Sequence, residues 1–121
     1  MKQLLFVFIG GGVGSMARFL IGKWLNTSSS GIPWGTFAVN VLGSFLIGVI
    51  LGWGLKSNQL SETTTLLLAT GFCGGFTTFS TFAYENYNLL KSGDLTTFII
   101  YSVASFAMGM IAVFVGLSLV K

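Results

Sequence analysis

Charge is what this chain has least of. Only 7% of its 121 residues are charged, against 53% that are hydrophobic, and the mean hydropathy is +0.85. Soluble domains carry about a quarter charged residues, so a water-soluble fold is excluded. Histidine is absent, which removes histidine-based metal clusters and general bases. The single cysteine, Cys73, allows no internal disulfide and leaves the redox compartment unread. The only acids, Glu62, Glu85 and Asp94, each fall near the end of a hydrophobic run. No carboxylate is therefore expected deep enough to run a proton relay. The net charge of +3 comes from scattered cations, which argues against a nucleic-acid partner. Together these absences argue against an enzyme.

What is present is membrane-spanning sequence. A helix needs roughly 20 apolar residues to cross a bilayer, and four such runs occur: about Leu4 to Leu25, Pro33 to Leu55, Thr63 to Tyr84 with an extension to Leu90, and Leu95 to Val120. The expectation is an all-α membrane protein with one four-helix domain over 1–121 and no room for an extramembrane domain. Met1-Lys2 before an apolar run has the look of a signal peptide, but no small-x-small site closes it before Arg18, so it reads as the first span. Asn26-Thr27-Ser28 fits a glycosylation sequon and reads as a chance match. Gly12-Val13-Gly14-Ser15-Met16-Ala17 fits the dinucleotide fingerprint, yet no acid follows before Glu62, so that reading fails.

Orientation is undetermined by charge. With four spans, Lys2, Lys56 and Lys121 share one face, and Arg18, Lys23 and Lys91 the other, three cations each. The positive-inside rule then gives no preference, and the chain is expected to insert both ways and to pair as an antiparallel homodimer. A single orientation set by other cues is the alternative. Small residues at helical spacing, such as Gly10 with Gly14, Ser44 with Gly48 and Gly52, Gly71 with Gly75, and Ser105 with Gly109, permit close helix approach.

The segment Gly71-Phe72-Cys73-Gly74-Gly75-Phe76-Thr77-Thr78-Phe79-Ser80-Thr81-Phe82 lies inside the uncharged third run. Its glycines and threonines are poor helix formers, so the third helix is expected to be broken near its centre. In lipid, freed backbone groups cost several kcal/mol each, and such breaks usually line an ion or substrate site. Polar residues within the spans have two readings each. Arg18 either snorkels to the headgroups or sits at the mouth of an anion path. Asn40 either bonds a neighbouring helix or donates to an anion. Phe76, Phe79 and Phe82 are packing surface or, through their positive ring edges, anion contacts. Tyr101, Ser102 and Ser105 satisfy local carbonyls or replace water around an ion.

Gly-Gly-Gly-Val-Gly-Ser-Met-Ala-Arg at 10–18, Gly-Thr-Phe-Ala-Val-Asn at 35–40 and the 71–82 motif followed by Glu85 resemble the Fluc (CrcB-like) fluoride channel family. The resemblance covers all four spans. It implies a fluoride-selective channel of the bacterial inner (plasma) membrane, built as an antiparallel homodimer with two pathways at the subunit interface. It implies pore roles for Asn40, Phe79, Phe82, Tyr101 and Ser105, and a vestibular or structural role for Arg18. It also implies a central sodium ion held by the backbone carbonyls of Gly74 and Thr77 from both copies. Phe76 is not assigned to the pore, and Gly109 carries no hydroxyl to extend the track beyond Ser105. Flow would be passive, lowering cytoplasmic fluoride. Two rivals stand beside this reading: a small multidrug-type proton-coupled exporter, which needs a first-span carboxylate that is missing here, and a non-transporting assembly subunit.

Overall fold

The computed structural model describes residues 1–26, 31–57 and 60–120. Thr27 and Ser28 of the sequon, and Lys121 of the charge balance, lie outside them. Helix α1 covers Lys2–Leu25 and α2 covers Trp34–Ser57. At 1.5 Å per residue each is about 36 Å long, enough for a hydrocarbon core of about 30 Å. The third segment is composite. It opens as α3 (Glu62–Thr65), continues as a π-helix over Leu66–Cys73, and closes as α4 (Gly74–Phe76). Thr77 and Thr78 are extended, and the chain becomes helical again as α5 (Phe79–Lys91). Helix α6 covers Leu95–Leu119. Four helical stretches, Lys2–Leu25, Trp34–Ser57, Glu62–Lys91 and Leu95–Leu119, are long and apolar enough to cross a membrane.

Short polar side chains set the ends of these elements. Ser61 accepts from the Thr64 N–H, Thr78 from the Thr81 N–H and Asp94 from the Thr97 N–H, each satisfying an orphan donor of a first turn. Gly93, at φ 82°, turns the chain between α5 and α6. There the N–H of Asp94 returns to the Leu89 carbonyl, as a left-handed residue after a helix allows. Asn26 accepts from the Gly35 N–H at 2.7 Å, so the sequon asparagine closes the start of α2.

Packing runs in two pairs. Helix α2 lies along α6, where a methyl at Gly48 or Gly116 would strike the partner backbone. Helix α1 lies along the third segment, and added methyls at Gly10, Gly14 and Gly75 would overlap the Leu67, Phe72 and Gly11 carbonyls. Such contact between backbones is how helices associate where lipid gives no hydrophobic drive. This alters one expectation. Gly71, Gly74 and Gly75 remain in helical geometry, and the non-helical residues are Thr77 and Thr78. The glycine pairs 10/14 and 71/75 pack against each other within the single chain.

Candidate functional site

Four pieces of chain converge where helical geometry stops. A helix end leaves carbonyls without intrahelical partners, and those of α4 are met from several directions. The Cys73 carbonyl accepts from the Thr77 N–H at 3.0 Å and the Thr77 hydroxyl at 2.9 Å. The Gly75 carbonyl accepts from Arg18 Nε at 3.1 Å and Ser15 Oγ at 3.5 Å. Among the described residues, no hydrogen bond reaches the carbonyls of Gly74 or Thr77. Asn40 on α2 completes the arrangement: its Nδ2 donates to the Thr78 carbonyl at 3.1 Å, and the Thr78 N–H donates to its Oδ1 at 2.8 Å.

Beside this junction lies an open groove of about 770 Å³ between α2, the third segment and α6. Asn40, Gly74, Thr77, Phe79, Phe82 and Ser105 all line it. Six of the residues singled out in the sequence are thus brought together. Ser105 Oγ is buried with no hydrogen-bond partner among the described residues. Ser44, Thr78 and Ser102 add hydroxyls to the same wall. The rings of Phe79 and Phe82 lie 5.9 Å apart, and Phe79 is 78% exposed in the protomer. Phe76 is 2% exposed and stacks on Phe72.

Two expected residues stand elsewhere. Tyr101 is 1% exposed and does not line the groove. Its ring packs on Phe82 with centroids 5.0 Å apart, and its hydroxyl donates to Glu85 Oε1 at 2.7 Å. Thr36 Oγ1 donates to the other Glu85 oxygen at 2.6 Å and accepts from Asn26 Nδ2 at 3.4 Å. This polar chain across α1, α2, α5 and α6 was not foreseen. Its signal was available: Glu85 follows Phe82 by three residues, on the same face of one helix. Arg18 borders a smaller cavity of about 260 Å³ together with Lys23, Thr36, Thr78 and Thr81. Thr78 lines both spaces.

The CrcB-like protein family (Camphor Resistance, CrcB) matches residues 5–117. The chain belongs to that family. A relative from Gloeothece citriformis, named fluoride-specific ion channel FluC, is 47% identical over 100% of this chain and 98% of its own length. One from Chlorobaculum tepidum with the same name is 47% identical over 100% and 96%. A third so named, from Bacteroides fragilis, is 44% identical over 96% and 94%. This CrcB-like chain is therefore a multi-pass membrane protein whose relatives are bacterial channels.

Proposed function

We propose that this chain is a fluoride-selective channel that lets fluoride leave the cytoplasm passively across the inner (plasma) membrane. The observation that carries the reading is Ser105: a buried hydroxyl with no partner among the described residues, on a residue that lines the open groove of the membrane-spanning bundle. A buried donor left unpaired costs about 1–3 kcal/mol, so its retention in the groove suits an acceptor that passes through. The names of the relatives supply the anion; none of those names supports a proton-coupled exporter.

Fluoride is small and tightly hydrated, and burying an unpaired ion in a dry medium costs on the order of tens of kcal/mol. A channel must offset most of that by several weak sites rather than one deep well. The second proton of Asn40 Nδ2, the hydroxyls of Ser102 and Ser105, and the ring edges of Phe79 and Phe82 form such a series along the groove. Arg18 and Lys23, around the smaller cavity, would concentrate anions at its mouth, with Thr78 common to both spaces. Tyr101 fixes the Phe82 ring and closes the series at Glu85.

We read Thr77 and Thr78 as a break in the third transmembrane helix, and the open groove with its exposed Phe79 as half of a path. A second, inverted copy would supply the other half, giving two paths per homodimer. Reporter fusions at the C-terminus test the inversion, since a signal from one side of the membrane alone contradicts it. The carbonyls of Gly74 and Thr77, which accept no hydrogen bond among the described residues, suit a monovalent cation. Bound there, sodium would supply positive potential beside the paths and join the two breaks. Anomalous scattering from a heavier monovalent cation tests that assignment, and a water at the position would overturn it.

Reconstitution tests the function itself. Vesicles carrying the purified chain are expected to release fluoride while retaining chloride. Retention of both ions would favour a non-transporting subunit.

A further inference from the structure

Helix α2 presents two lined faces. Asn40, Gly43, Ser44 and Ile47 border the polar groove, whereas Ala38, Leu42 and Phe45 border a second cavity of about 670 Å³. Helical spacing puts the two sets on opposite sides of α2. A second copy seated on the first groove alone would leave the other open. Ile111, Ala112 and Val115 of α6 form its far wall, and among the described residues no hydroxyl, amide or charged side chain lines it.

One end of this apolar cavity lies at the joint of α1 and α2, where Leu25 and Trp34 border it. The same joint carries the small cationic cavity lined by Arg18, Lys23 and Gly35. Trp34 is the first residue of α2 and is 44% exposed, a position typical of aromatic residues at the headgroup level. The α2 N-terminus adds partial positive charge to that of Lys23. An apolar slot that ends at Trp34, with Lys23 near the neighbouring end of α1, matches one kind of molecule in charge and polarity.

We propose that this cavity is a binding site for an anionic phospholipid, with an acyl chain along Leu42, Phe45 and Ala112 and the phosphate toward Lys23. The lipid would fill the slot between α2 and α6, a helix pair whose Gly48–Gly116 contact depends on close backbone approach.

The test uses the full chain with Trp24→Phe and Trp53→Phe, which leaves Trp34 as the fluorophore. It is reconstituted in phosphatidylcholine vesicles containing a minor share of dibrominated phosphatidylglycerol or of dibrominated phosphatidylcholine. Quenching of Trp34 should favour the anionic lipid about fivefold, the effect of one lysine at an anionic membrane surface. Lys23→Gln should bring the two lipids to parity, and Ala112→Phe or Ala38→Phe, which fill the slot, should abolish the preference. Equal quenching in the parent chain would overturn the proposal, as would a preference that survives both filling substitutions. Protection of Trp34 from both lipids would overturn it too, by showing that a second copy covers this face. The readout is independent of fluoride release, so it stands or falls apart from the channel function.

Discussion

Asn40 and Thr78 exchange two hydrogen bonds, one in each direction, 38 residues apart in sequence. The pair holds an extended residue at membrane depth by giving its N–H and its carbonyl one shared partner. Asn40→Ala would take that shared partner from both groups of this half-buried residue, at about 1–3 kcal/mol. Asn40→Asp keeps the acceptor for the Thr78 N–H and sets an anionic oxygen against the Thr78 carbonyl and beside the path. We expect Asn40→Ala to lose more thermal stability, read as folded protein remaining after heating. Asn40→Asp should slow fluoride release about tenfold or more, since 1.4 kcal/mol of repulsion suffices for that.

Phe79 and Phe82 separate function from folding in different degrees. Phe79 is exposed in the protomer, so Phe79→Ile should leave the melting temperature of the protomer fold nearly unchanged while suppressing fluoride release. Phe82 packs on Tyr101, and an aromatic pair contributes about 0.5–1.5 kcal/mol beyond burial. Phe82→Ile should suppress release and lower the melting temperature as well. Normal flux in both variants would remove the rings from the mechanism.

Gly74 and Gly75 are adjacent and should respond oppositely to alanine. A methyl at Gly74 meets no atom within 4 Å, whereas one at Gly75 overlaps the Gly11 carbonyl. Gly75→Ala should cost about 1–3 kcal/mol or more through overpacking, read as lost folded protein. Gly74→Ala should fold, and because its methyl enters the groove it should lower fluoride release.

Glu85 is the hub for two donors, Thr36 and Tyr101. Glu85→Gln exchanges one acceptor for a donor, so one of the two hydroxyls loses its partner, at about 1–3 kcal/mol. Tyr101→Phe removes one donor and should cost less. Thermal melts of both variants and their combination check this. A double variant no worse than Glu85→Gln alone is expected if the two share one interaction.

The hydrophobic runs made the four spans legible, because length and apolar content alone decide whether a helix crosses lipid. Asn40 and Ser105 were legible as polar groups inside hydrophobic runs, and Phe79 and Phe82 by their spacing immediately beyond the glycines of the 71–82 motif. Their partners were not. The sequence marks Gly71, Gly74 and Gly75 as weak points of a helix, yet all three stay helical, with Gly71 and Gly75 packed closely on α1. Thr77 and Thr78 take the extended geometry instead, where Asn40 can satisfy them. Tyr101 was placed by spacing with the hydroxyls of α6, but spacing within one helix cannot show that Glu85, on another, accepts its hydrogen bond. Arg18 had two readings in the sequence. Its bond to the Gly75 carbonyl adds a third use, closing a helix end.

The central claim, that fluoride crosses by way of this groove, is tested most directly at Ser105. Its hydroxyl has no partner among the described residues, so Ser105→Ala removes nothing that holds the fold together and should leave the melting temperature equal or higher. Measured with a fluoride electrode on reconstituted vesicles, the variant is predicted to release fluoride about tenfold more slowly than the parent chain, a difference of about 1.4 kcal/mol. Release at the parent rate from a properly folded Ser105→Ala protein would contradict the account.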